Sequence, residues 1–338
     1  MTQKKLLLLV MVLALAGGGC ATRELRTQPD WVDGVSERYP DQGYLVGRGR
    51  AADLAAAQDR ARADLAKVFE VTVREQRSDE QRYLGGEGLV DAADRWELEV
   101  SRSLVTHTEQ VVRGVRIAEV WRDPLSGERH ALAVLARTPA AAGLRAEIGR
   151  LDEVTALQIE RARSEGDLLR RIVAAGRAVE SQVERAGLQR ALQVVEASGL
   201  GVEPRWQLAR LVADLEELSG RFRVKPVALG VEAATLNAAL AGGVAAAGFT
   251  ASPGADAFPL HVELRLDDLG RQDGWYWQRG TLALTLYDPA GTVRGTERWA
   301  IKESARDRES ARRRAVEAAV ALLGGQLREV LLGFVATD

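Results

Sequence analysis

The 338-residue chain holds one cysteine, three histidines and two methionines, and aromatic residues make up only 5% of it. A lone cysteine cannot close an intramolecular disulfide or supply a cysteine cluster to a metal, so stability has to come from packing. None of His107, His130 and His261 has a second histidine or a cysteine at ligand spacing, and neither H-E-x-x-H nor G-x-S-x-G occurs. Basic and acidic residues nearly cancel, 46 against 48, giving a formal charge of −2. That balance disfavours nucleic-acid binding, and Arg312, Arg313 and Arg314 read as the solvated face of an amphipathic helix. Long apolar runs are also missing. The longest, Leu6–Ala16, falls short of the roughly 18 residues a spanning helix needs.

What is present begins at the front end. Lys4 and Lys5, the apolar run, and the small residues Gly17, Gly18 and Gly19 before Cys20 have the layout of a secretory signal. The ending "LALAGGGC" resembles the lipobox of bacterial lipoproteins, with Gly17 where leucine is usual. The resemblance implies that residues 1–19 are removed and that Cys20 carries the lipid. With Ala21 rather than aspartate next, it further implies sorting to the outer membrane, periplasmic face. One acyl chain binds a bilayer only marginally, so stable anchoring calls for several, palmitate-like chains included, on Cys20. Residues 20–28 form a short tether. Its eight residues after the cysteine reach at most about 28 Å, which keeps the first domain near the bilayer.

Periodicity divides the remainder. Residues 29–137 read as α+β: a strand at Tyr44–Gly47, then an amphipathic helix over Ala51–Phe69 with Leu54, Ala57, Ala61, Leu65 and Val68 at spacings of three and four. Leu89–Gln110 is ambiguous between helix and strand. Val115–Trp121 and His130–Ala136 are strands joined by a turn at Pro124 and Gly127. Residues 138–220 are helical, rich in Ala, Leu, Glu, Arg and Gln. They form either one helix of about 90 Å or a hairpin broken near Gly166 and about half as long. Residues 221–338 form a second α+β unit, with alternating strands at Leu260–Leu266 and Leu282–Leu286 and one closing helix carrying Val316, Val320, Leu323, Leu327 and Leu331. The expected fold is thus two small α+β domains with antiparallel sheets, joined by a helical, coiled-coil-like middle.

Little in this text nominates chemistry. Gly47, Gly49 and Ala52 fit a G-x-G-x-x-A dinucleotide fingerprint with Glu70 about twenty residues on. The polar stretch "VTVREQRSDEQRY" after the helix cannot be the buried parallel strand such a unit requires, so the glycines read as a turn feeding a helix. Asp267 and Asp268 read as solvating a strand end. No catalytic residue, cofactor or metal is expected. In "GWYWQRG", Trp275, Tyr276 and Trp277 are consecutive, so a strand there must turn at least one ring away from the core. These three are the candidate partner contact.

"PDWV", "YLVGRGRA", the alanine-rich helix and the strands around "DPLSGE" together resemble the LPP-twenty family of lipoproteins and the related amino-terminal domain of FlgT, over residues 29–137. The resemblance implies a non-enzymatic domain anchored by an acylated cysteine. Residues 221–338 more faintly resemble the carboxy-terminal domain of the LpoB lipoproteins, which activate a penicillin-binding protein. The shared points are Trp275–Trp277, the "DPAGT" turn, and Trp299 followed by Lys302. The leading expectation is an outer-membrane lipoprotein that binds another envelope component, a protein or peptidoglycan. One alternative is an activator of a peptidoglycan synthase that uses the helical middle as a rigid reach. Another is an envelope hydrolase whose site is assembled from residues far apart in sequence.

Overall fold

The structure is a computed structural model that describes residues 28–83, 99–104 and 114–336. Cys20 and His107 lie outside the described residues, as does most of Leu89–Gln110, of which residues 99–104 are helical. The chain divides into two compact units. The first takes the described residues up to Arg74 and from 114 to Ala140, and the second takes the rest.

The first unit is built on a three-stranded antiparallel sheet. Its strands are β1 (Tyr44–Ala51), β2 (Arg116–Arg122) and β3 (Arg129–Ala136), in the order β1-β3-β2. A helical turn, α1 (Asp30–Asp33), precedes them, and α2 (Leu54–Tyr83) follows β1. Strand alternation gives the sheet two working faces. On one, Leu45, Gly47, Gly49 and Ala51 are buried where α2 lays Ala57, Ala61 and Leu65. The contact is close: a Cβ on Gly49 would stand 2.1 Å from the Ala57 carbonyl oxygen, and one on Gly47 would stand 2.3 Å from that of Ala61. On the other face Trp31 and Tyr39 cover Leu132 and Val134. Trp31 Nε1 donates to Glu119 at 2.8 Å, and Arg48 Nε donates to the Trp31 carbonyl at 2.7 Å, so "PDWV" is held as the lid of this second face. The buried stripe of α2 is Ala57, Ala61, Leu65 and Phe69, whereas Leu54 and Val68 are more than a third exposed. The helix also continues through the polar stretch in which no strand was expected.

In the second unit the helical middle is a hairpin. Helices α3 (Arg137–Ser164, in this unit from Ala141) and α4 (Leu168–Val195) have 28 residues each, about 42 Å at 1.5 Å per residue. Asp167 caps α4 by accepting from the Arg170 backbone N–H. The rungs fix the antiparallel register: Arg171 Nε to the Ala162 carbonyl at 2.9 Å, Gln182 Nε2 to Thr155 Oγ1 at 2.8 Å, Arg185 Nε to Asp152 Oδ1 at 2.9 Å, and Arg145 with Glu196 at 2.6 Å. Of the two shapes the composition left open, the folded-back one is observed. A single long reach is not.

Helix α5 (Leu208–Gly220) follows, then β4 (Arg223–Leu229), α6 (Ala233–Ala246), β5 (Thr250–Ala251), β6 (Phe258–Gln272), β7 (Trp275–Tyr287) and β8 (Val293–Ala305). The five strands are ordered β5-β4-β6-β7-β8. Strands β6, β7 and β8 form the antiparallel meander that alternation predicts. Strand β4, however, runs parallel to both β5 and β6, so this sheet is mixed. The cause is α6, which carries the chain from β4 back to the starting end of the sheet and so makes the next strand parallel. The α+β class holds.

One core joins helices and sheet: Leu169 and Ile172 of α4, Val212 and Leu215 of α5, Leu236 and Leu240 of α6, Val262, and Leu282, Leu284 and Leu286 of β7. Each such fully buried aliphatic contributes roughly 1.5–3 kcal/mol. The closing helix is two helices, α7 (Arg308–Gly325) and α8 (Leu327–Ala336), bent by 59° just after Gly324 and Gly325. The core stripe of α7 is Ala311, Ala315, Ala319 and Leu323, continued by Leu327 and Leu331 in α8, while Val316 and Val320 are only half-buried. Small alanines let α7 approach β7 and β8, and the valines flank that contact. Among the described residues no single helix is long and apolar enough to cross a membrane.

Candidate functional site

The residues that suggested a dinucleotide site are structural. Gly47 and Gly49 lie within β1, where only a missing side chain lets α2 sit against the strand, and among the described residues β1 pairs only with the antiparallel β3. The described histidines each lie against an aromatic ring, His130 5.2 Å from Trp121 and His261 4.7 Å from Tyr287. Among the described residues no group of three or more His, Cys, Asp or Glu is arranged to hold a metal. Asp268 accepts from Gly270 N–H and pairs with Arg308 at 2.8 Å, so it braces a bulge in β6. The arginine run is likewise occupied: Arg312 chelates Glu232 with two nitrogens, Arg313 pairs with Glu317, and Arg314 donates to the Ser304 carbonyl.

Trp275, Tyr276 and Trp277 begin β7 at the tip of the β6–β7 hairpin. The two-residue turn is Asp273–Gly274, with φ of 48° and 83°. Positive φ at both positions makes it the turn whose twist matches the strands, and Asp-Gly is among its preferred pairs. Along β7 the core face takes Gln278, Leu282, Leu284 and Leu286. By alternation Tyr276 shares that side, while Trp275 and Trp277 stand on the opposite face. Two of the three rings therefore point away from the core, and Trp275 is 40% exposed.

Each ring also carries a cation. Lys302 Nζ lies 5.0 Å from the centre of Trp277, the Arg306 guanidinium 5.7 Å from Trp275, and that of Arg308 5.9 Å from Tyr276. The register explains the first, since Trp277 opposes Ser304 and Arg279 opposes Lys302, making Lys302 the diagonal neighbour of Trp277. Each contact contributes about 0.5–1 kcal/mol at such an exposed position. Asp307, between the two arginines, caps α7. Hydrogen bonds from the Ser310 backbone, and then its side chain, hold the Asp307 carboxyl below its ordinary range. The tip thus sets three aromatic rings beside three cations, of which Arg308 is itself paired with Asp268. Sequence reasoning found the rings but passed over Arg306 and Arg308. The available signal was their position just after β8, whose end pairs with the start of β7.

Residues 29–136 match the family model for the LPP20 lipoprotein, as the resemblance over residues 29–137 led one to expect. Two solved structures are similar at low identity. One is a minor lipoprotein from Acinetobacter baumannii, 15% identical, covering 32% of this chain and 93% of its own, with a TM-score of 0.27. The other is the secreted protein HP1454 from Helicobacter pylori, 15% identical, covering 88% of this chain and 100% of its own, with a TM-score of 0.41. No curated protein matches.

Proposed function

We propose, with the LPP20 lipoprotein match over residues 29–136 as the premise, that this chain is an outer-membrane lipoprotein anchored through Cys20 on the periplasmic face. Its folded units bind another envelope component and catalyse no reaction. The observation that carries this reading is the adjacency of the two signals: a signal-like segment ends on the sole cysteine, and the lipoprotein-family domain begins nine residues later. A thiol with no partner within the chain has a use at that position, as the attachment point for acyl chains. The exposed ring of Trp275 and its cationic surround support the hairpin tip as the partner contact. The activator reading loses its rigid reach, because α3 folds back on α4.

The test of the anchor is Cys20→Ala. Metabolic labelling with a palmitate analogue should disappear and the protein should leave the membrane fraction. Unchanged retention in that fraction would overturn the proposal.

A further inference from the structure

The helical hairpin and α5 line a cleft of about 620 Å³. Its walls carry Arg163, Arg171, Arg205, Arg210 and Arg221, together with Trp206, in a chain whose net charge is −2. Only two carboxylates, Asp214 and Glu217, share the lining, and Glu217 is already paired with Arg221. Among the described residues Arg163, Arg205 and Arg210 form no ion pair. Arg171 is steadied by its Nε, which donates to the Ala162 carbonyl, and its terminal nitrogens remain available.

Helix stability does not account for this crowding. Arg163 is favourably placed in the last turn of α3, but Arg171 and Arg210 lie in the first turns of α4 and α5, where the helix dipole disfavours a cation. At α4 the Asp167 cap offsets it in part, whereas α5 has neither an acidic residue in its first turn nor a side-chain cap from Gln207. Like charges gathered in a cleft, one of them at the uncapped start of α5, are stabilised by an anion from outside. Guanidinium forks match phosphate oxygens with paired hydrogen bonds. The floor is apolar, with Ala178 and Leu218 buried, and Trp206 adds a half-buried ring at one side. The volume lies in the range of small-molecule sites, roughly 300–1,000 Å³.

We infer that this cleft binds a phosphorylated saccharide, the arginines taking the phosphates and Trp206 the sugar ring. The site stands apart from the hairpin tip and does not depend on the anchor.

Calorimetric titration of the full chain tests it, with glucose 1,6-bisphosphate as probe and inorganic phosphate, glucose and digalacturonate as comparisons. The bisphosphate should bind saturably and about tenfold tighter than inorganic phosphate, and should weaken as salt is raised. Arg163→Gln with Arg210→Gln should reduce that affinity about tenfold, since paired charge-assisted bonds are lost. Arg205→Gln repeats the test in the connector before α5. Far-UV circular dichroism of each variant should be unchanged, because all three side chains are exposed. Trp206→Ala should weaken the sugar bisphosphate and leave inorganic phosphate unaffected. Absence of saturable bisphosphate binding, equal binding by the arginine variants, or tighter binding of digalacturonate would each overturn the assignment.

Discussion

Asp152 and Arg185 cross the helical hairpin as an ion pair at 2.9 Å, their side chains 7% and 3% exposed. Asp152→Ala removes the only carboxylate paired with that guanidinium among the described residues, and Arg185 is then left with the Val202 and Glu203 carbonyls, each at 3.2 Å. Two neutral acceptors do not offset a charge held out of water. Removing one partner of a buried pair costs about 3–5 kcal/mol, a large share of a typical stability of about 5–15 kcal/mol. Gln182, which also reaches Asp152 at 3.4 Å, keeps Thr155 at 2.8 Å, so its loss is the smaller part. At a urea slope of about 2 kcal/mol/M, the unfolding midpoint should fall by about 1.5–2.5 M. Urea titration followed by far-UV circular dichroism measures it. Replacing both partners, Asp152→Leu with Arg185→Met, should recover much of the loss, because no charge is then buried alone. A single-variant loss under about 1 kcal/mol would refute the reasoning, since it would mean that water or a neighbouring group replaces the carboxylate without penalty.

Two further perturbations report on other parts of the chain. Gly49→Ala should destabilise the first unit by about 1–3 kcal/mol, because its Cβ meets the Ala57 carbonyl at 2.1 Å and α2 must move; thermal unfolding measures it. Asp307→Ala should lower the melting temperature at neutral pH. The folded carboxyl is held below its ordinary range, so its contribution is present above the unfolded pKa of about 3.9 and is lost as pH falls through the folded value. The gap between wild type and variant should therefore be flat at neutral pH and close in acid. A gap that persists unchanged to acid pH would show that the cap does not depend on charge.

How much could be read beforehand depended on which force set each feature. Alternation along Leu282, Leu284 and Leu286 and the turn residues Pro124 and Gly127 are local, and the strands and hairpins they imply are present. Long-range choices were less legible. The parallel pairing of β4 with β6 depends on where α6 returns the chain, which no residue of β4 encodes. The stripe of α7 falls on alanines because β8 comes so close, whereas hydrophobicity alone favours the valines beside them. Gly47 and Gly49 read as a turn feeding a helix but lie within β1, because glycine marks any close backbone approach, whether in a turn or of a strand to a helix. At the hairpin tip the rings were visible as a run, but their cations come from the end of β8 and the start of α7, some thirty residues on. The arginine cleft gathers residues from Arg163 to Arg221 and so has no compact signature.

The order β5-β4-β6-β7-β8 leaves the sheet with two unlike borders. One ends in a strand of two residues, too short to template a neighbour. The other is β8, thirteen residues whose outer amides and carbonyls pair with no strand among the described residues. Such an edge invites self-association between chains crowded on a surface. Strand β8 meets that hazard with Arg294, Glu297, Arg298, Lys302 and Glu303, so a second copy added parallel and in register would set each charge opposite its like. Those charges make β8 a poor template for a further strand, which favours separate molecules over fibrils.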